Sequence, residues 1–356
     1  MLSLLLQLSS LRGQSPPERW SVQKAQQWYQ NNGILKGCNY VPSTAVNATA
    51  MWQAATFDSA TIDKELEWAE NAGYNSVRVF LQYLVWKADP EGLKDRMHTF
   101  LAVADRHGIR TMFILFDDCA FAGKAPYLGP QDPPVPGVHN SGWTPSPGPR
   151  RVVDKDAWPD LKAYVKDIIG TFKTDKRVVI WDLYNEPGNS KMFEKSLPLL
   201  EAAFQWAREV APEQPLTAGP WGDFYNIFSK KSRMTKRLFA LSDVLTFHAY
   251  EPPCLLKNKI RMIKAAYKRP LICTEWLFRQ NGDTFAAVLP IFANNQIGWY
   301  NWGLVAGKTQ TYFHWGSKKG TAAPKVWQHD VFHKDGRPYH ADDLRLIQQF
   351  TFSKTP

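Results

Sequence analysis

The chain has 356 residues, 44% hydrophobic and 21% charged, the balance of a globular protein with a large core rather than of a disordered or fibrous one. Its net charge of +10 comes without a helix-turn-helix, zinc-finger or RNA-binding signature, so a nucleic-acid partner is not expected. The cysteines Cys38, Cys119, Cys254 and Cys273 show neither C-x-x-C spacing nor a matching His cluster, which argues against a metal site or a disulfide framework.

Residues 1–15 are apolar but lack a basic start, and read as a signal-peptide remnant or an N-terminal extension. That reading favours a secreted or periplasmic protein, with a cytoplasmic one as the alternative. No later stretch approaches 18 apolar residues, so no membrane span is expected. Residues 16–356 then read as one domain. Short apolar runs at 34–40, 76–81, 111–116, 178–183, 215–219, 244–248, 271–274 and 297–302 are rich in Val, Ile and Phe without strict alternation. This suits strands buried on both faces of a parallel sheet.

Amphipathic segments separate the runs. Asp58 is a suitable N-cap for a helix with Ile62, Leu66 and Ala69 on one face, stopped near Gly73. Leu93, Met97, Phe100, Leu101 and Ala104 repeat the stripe, as do Leu161, Val165, Ile168 and Phe172. Strand and helix alternating eight times over about 300 residues predict an α/β fold, a single (β/α)8 barrel. A doubly wound open sheet is the competitor, but no G-x-G-x-x-G follows the first strand. The Pro- and Gly-rich stretch 126–150, after strand 3, reads as an ordered loop over the barrel mouth carrying His139, Asn140 and Trp143.

Sites on such barrels lie at the carboxyl ends of the strands. There the sequence places Asn39, Arg78, Asp117, Asp118, Asn185, Glu186, His248, Tyr250, Glu275, Trp276 and Trp302, with Trp221 just beyond strand 5. Glu186 and Glu275, ending strands 4 and 7, are 89 positions apart (275 − 186), so only the fold can join them. Two carboxyl groups flanking a bond are what glycoside hydrolysis requires: one protonates the leaving oxygen, the other attacks the anomeric carbon or activates water. Indole faces stack on sugar rings, which suits Trp221, Trp276 and Trp302.

Asn185-Glu186-Pro187 with Glu275 on strand 7 resembles the clan A glycoside hydrolases, most closely glycoside hydrolase family 5, over most of the chain from Gly37-Cys38-Asn39 to Asp335-Gly336-Arg337-Pro338-Tyr339. The resemblance implies a retaining double displacement on an oligo- or polysaccharide, with no metal and no organic cofactor. Glu186 would be the acid/base and Glu275 the nucleophile. Asn185 would bind the sugar 2-hydroxyl, and Arg78 would hold Glu275 in its charged form. Tyr250 would donate to Glu275, His248 would line the sugar subsite, and Trp302 would lie beneath the ring.

Repulsion between the two carboxylates is expected to keep Glu186 protonated at rest. Cys119 stands where that family often has a histidine, and His139 and Asn140 are candidate replacements. Endo action on a β-glucan, mannan or xylan is the expected mode. The alternatives are an exo-acting galactosidase- or mannosidase-type enzyme on short oligosaccharides, favoured if the segments 117–155 and 306–334 wall off the cleft, and a non-catalytic carbohydrate-binding barrel.

Overall fold

Each of the eight apolar runs forms a strand, because Val, Ile and Phe fill both faces of a pleated sheet packed between core and helices. A computed structural model describes residues 18–121, 123–221 and 233–352; the segment 1–15 lies outside the described residues. The strands are β1 (Lys36–Asn39), β2 (Ser76–Phe80), β3 (Arg110–Asp117), β4 (Val178–Asn185), β5 (Leu216–Gly219), β6 (Leu245–Ala249), β7 (Leu271–Trp276) and β8 (Gly298–Trp302). Each is followed by a helix, from Ser59–Ala72 after β1 to Ala341–Phe352 after β8.

The strands are parallel and hydrogen-bonded in the order β5-β4-β3-β2-β1-β8-β7-β6. Side chains bridge the β5–β6 seam. Thr217 donates to Val244 O at 2.9 Å, Thr246 donates to Ala218 O at 2.7 Å, and the two hydroxyls lie 3.0 Å apart. With that seam bridged, the sheet is the (β/α)8 barrel that the alternation predicts.

The helix Ser59–Ala72 begins where Asp58 accepts from Thr61 N at 3.0 Å and ends at Gly73, whose φ of 92° completes a left-handed cap. It buries Ile62, Leu66 and Ala69 against the sheet. Truncating a buried leucine such as Leu66 to alanine costs about 2–5 kcal/mol. At the opposite end from the strand carboxyl termini, Trp20, just before the first helix (Val22–Asn32), and Ala25 within it pack with Met112, Ile180, Val244 and Ile272. The amino-terminal helix thus closes the bottom of the barrel, leaving its top for a site.

Candidate active site

Arg78 is the hub. Lying in β2 and fully buried, it uses all five of its N–H donors. Nε and Nη2 donate to Asp182 Oδ2 at 3.0 and 2.7 Å, and Nη2 also to Asn185 Oδ1 at 2.7 Å. Nη1 donates to Asn39 Oδ1 at 2.7 Å and to Glu275 Oε1 at 2.9 Å. Burial alone would lower the guanidinium pKa, but the adjacent Asp182 and Glu275 raise it. Asn39 Nδ2 donates to Thr274 O at 2.8 Å. Asn39 and Arg78 therefore form the floor beneath the cavity and position what lies above. Asp182 was not among the residues singled out from sequence. Its signal was there, an aspartate inside an otherwise apolar buried strand.

On the β7 side, Glu275 is held at both oxygens: Arg78 at Oε1, and the Tyr250 hydroxyl donating to Oε2 at 2.9 Å. Trp276 alternates to the other face. It is fully buried against Phe285, Phe292 and Trp299, so it serves the core and not the cavity.

On the β4 side, Glu186 sits at φ 47°, a left-handed conformation unusual for a side-chain-bearing residue and frequent at functional sites. His248 Nδ1 lies 2.7 Å from its Oε1. Asn189 Nδ2 at 2.5 Å and Cys119 Sγ at 3.2 Å both donate to Oε2. Cys119, at the position of the expected histidine, thus touches Glu186 itself. A resting proton on Glu186 is not what this arrangement favours. Burial pushes its pKa up, but the His248 hydrogen bond and charge, with Cys119 and Asn189, outweigh burial and bring it below the usual carboxylate value. Repulsion from Glu275 acting alone would keep that proton on Glu186. In the structure His248 stands between the two, 3.6 Å from Glu275 Oε2.

The consecutive aspartates ending β3 are buried supports. Asp117 accepts from Asn185 Nδ2 at 2.9 Å, Cys119 N at 3.1 Å and Trp143 Nε1 at 2.8 Å. Asp118 accepts from the Tyr184 hydroxyl at 2.7 Å, Gly188 N at 2.7 Å and Ser196 Oγ at 2.5 Å, pinning the loop that follows Glu186. Burial raises their pKa values to about 7 and about 6. Asn185 faces the cavity, but Arg78 and Asp117 already occupy its amide.

A cavity of about 660 Å³ opens above this network. Glu186, Glu275, His248 and Tyr250 line its base; Trp143 and Trp302, with rings 6.0 Å apart, and His139 line one side, and Trp221 the other. Asn39, Arg78, Asp117, Asp118, Asn140 and Trp276 do not line it. Sequence reasoning missed Asn189, Lys259 and Trp315 among its walls, because they come from loops and from a helix whose approach no local pattern encodes. Lys259 pairs with Glu251 at 2.6 Å and donates to His248 O at 3.0 Å.

Glu186, His248 and Glu275 each present an atom within 4.8 Å of the others, a spacing a cation could also use. Arg78, Tyr250, Cys119 and Asn189 already donate to those carboxylates, and a guanidinium at 2.9 Å opposes a second positive charge. The arrangement suits proton transfer and nucleophilic attack better than metal binding.

No family model and no curated protein matches the sequence. Solved structures do match its fold. An exo-β-1,4-mannosidase from Opitutaceae bacterium strain TAV5 superposes with a TM-score of 0.61 at 17% identity, covering 89% of this chain. This chain spans only 59% of that protein's length. A GH5_18 protein from Streptomyces cattleya, solved with GlcNAc, gives a TM-score of 0.59 at 11% identity, covering 91% of this chain and 82% of that one. An endo-β-1,4-mannanase from Thermotoga petrophila gives 0.58 at 14% identity, with 91% and 78% covered. The chain shares the (β/α)8 barrel fold of these three proteins.

Proposed function

We propose that the protein is a retaining hydrolase of β-linked glycans. The observation that carries this reading is the pairing of Glu186 and Glu275 across the barrel mouth, with one oxygen of each carboxylate within 4.8 Å of the other. Retaining enzymes place the two groups about 5–5.5 Å apart, whereas inverting enzymes hold them about 6.5–9.5 Å apart to admit a water.

In the first step a Glu275 oxygen attacks the anomeric carbon while Arg78 and Tyr250 fix its orientation. Glu186 protonates the departing oxygen, and a covalent glycosyl–enzyme forms. Expelling water on substrate binding adds to the burial that already disfavours the Glu186 carboxylate, and so brings the group to the protonated form that it donates from. In the second step Glu186 takes a proton from water, which attacks the same carbon from the side the leaving group vacated, and configuration is retained.

Two of the neighbours are an exo-β-1,4-mannosidase and an endo-β-1,4-mannanase, so β-mannosides are the first substrates to try. Endo action on a β-glucan, mannan or xylan is the mode expected from sequence. The segments after β3 and β8 join over one half of the mouth, where Asn140 N donates to Thr309 O at 2.8 Å and Gly320 N to Pro136 O at 2.9 Å, and this favours the exo mode instead. Removing the nucleophile tests the reading: Glu275→Ala abolishes turnover, and azide restores it as a glycosyl azide of inverted configuration. Normal activity in Glu275→Ala would overturn the assignment, and binding without turnover of any β-glycoside would favour a non-catalytic barrel.

A further inference from the structure

Among the described residues the mouth of the barrel is asymmetric. In strand order β8 and β3 flank β1 and β2, and the segments after β8 and β3 meet above that half. Asn140 N donates to Thr309 O at 2.8 Å, Gly320 N to Pro136 O at 2.9 Å, and Gln310 Nε2 to Val135 O at 2.8 Å. His139 N donates to Ser317 Oγ at 3.0 Å. Gly137 allows the close approach: with φ 82°, a Cβ there would lie 2.6 Å from Thr321 backbone atoms. Rings fill the wall behind these bonds. His139 packs on His329 at 5.5 Å and on Trp315 at 6.2 Å, and Trp315 stands edge-on to Tyr250 at 4.9 Å.

The opposite half is built differently. Beyond Glu186, the described residues facing the cavity from the β4 and β5 ends are Asn189, Pro220 and Trp221, and Trp221 is 41% exposed. The departing oxygen must face Glu186 on that side. The ring attacked by Glu275 therefore extends toward the walled half.

His139 carries a second, independent sign of a ligand. Its Nδ1 lies 2.8 Å from Phe313 O, and a carbonyl oxygen only accepts, so Nδ1 bears the hydrogen. Burial holds the imidazole pKa down at about 4, so the ring is neutral near pH 7. Nε2 is then an acceptor, and it is buried with no partner on a residue that lines the cavity. A buried, unpaired acceptor is costly unless a water or a ligand supplies a donor, and on a residue lining the cavity a ligand hydroxyl can take that place.

Resting on the retaining-glycosidase reading, we propose that the wall admits only a free non-reducing end and that His139 Nε2 accepts a hydrogen bond from the terminal 4-hydroxyl. That hydroxyl is where a β-1,4 chain would otherwise continue. The site selects chain ends by offering an acceptor where an internal residue carries no donor.

The test uses the intact protein. A panel of 4-nitrophenyl β-mannoside, glucoside, galactoside and xyloside first identifies the sugar turned over. The β-1,4 tetrasaccharide of that sugar, labelled at its reducing end, is then offered with its terminal O4 free or methylated. The expected result is stepwise release of monosaccharide from the free form and a rate at least about 100-fold lower for the capped form. Internal cleavage, equal rates on both forms, or silence of the aryl panel beside hydrolysis of a β-glycan polymer would overturn the proposal while leaving the hydrolase reading intact; no hydrolysis of any aryl β-glycoside or β-glycan would contradict both.

A variant adds a readout that loss of packing would not move. Wild type should prefer the parent aryl glycoside to its 4-deoxy analogue by at least about tenfold, since a buried acceptor left unpaired is costly, and His139→Phe should treat the two alike. Undiminished preference in His139→Phe would remove His139 from the account. The capped-substrate comparison needs no variant, so it decides end recognition even where His139→Phe does not fold.

Discussion

The surroundings of Glu275 and Glu186 differ in kind. Glu275 stands inside β7, its oxygens fixed by a buried guanidinium and a phenol, and that guanidinium has every hydrogen bond filled. Glu186 follows β4 at φ 47°, in a turn where Ser190, Lys191 and Phe193 also have positive φ, at 50°, 68° and 49°. Its partners are an imidazole, a thiol and an amide. A nucleophile needs a constant charge and a fixed line of attack, which a satisfied ionic network provides. An acid/base must change protonation state twice in each cycle, so its partners are ones that accept either state.

The largest effects lie on the fixed side. Arg78→Met should leave Asp182 and Glu275 buried without their counter-charge, destabilise the fold by about 3–5 kcal/mol and abolish turnover. Thermal or denaturant unfolding reads the first and aryl glycoside assays the second. Wild-type stability in that variant would break the contrast drawn above.

Next comes the adjustable side. Glu186→Ala should lower kcat by about 10²–10⁴-fold on substrates with a sugar leaving group. The loss should shrink with a 4-nitrophenol leaving group, which departs without a proton. Equal losses on both would deny Glu186 its role as acid.

Smaller still are the shifts in Glu186 titration. Burial alone pushes that carboxyl up, and His248 and then Cys119 pull it down. His248→Asn should therefore raise the pKa most and Cys119→Ala less, with Cys119→Ser nearer wild type because it keeps a donor; carboxyl ¹³C NMR reads all three. A downward shift in Cys119→Ala would contradict the contact.

The smallest effect concerns the turn after β7. Asp283 Oδ2 accepts from Leu277 N at 2.9 Å and Phe278 N at 3.0 Å, pinning Leu277 at φ 91°. Burial raises the Asp283 pKa to about 8. The folded state then holds a proton that the unfolded chain, with an Asp pKa of about 3.9, releases. This contribution is complete below about pH 4 and lost as pH rises toward about 8. Asp283→Asn keeps an acceptor and removes the titration, so its melting temperature should depend less on pH between 5 and 8. An unchanged slope would show that Asp283 is ionised throughout.

The fold was legible because strand and helix patterns are local and alternate without interruption. Glu186, Glu275, Tyr250 and Trp302 could be picked out because strand ends in a barrel converge. What escaped depends on long-range meetings. Asp182 lay within an apolar run and was passed over as core. Cys119 showed as a departure from a pattern, but its contact with Glu186 needs the turn that Asp118 pins from 70 residues before Gly188. The joining of residues 135–140 to 309–320 rests on backbone amides and Gln310, which carry no periodic signal. Asn39 and Arg78, placed by the sequence at strand ends facing the mouth, form its floor because their polar atoms find protein partners first, Arg78 holding Glu275 as the resemblance implies.

Double displacement requires Glu275 to form a bond that Glu186 then helps water to break. Proton NMR during hydrolysis of the best 4-nitrophenyl β-glycoside, recorded before mutarotation, shows the first anomer released. The account predicts the β-anomer; first release of the α-anomer would contradict it.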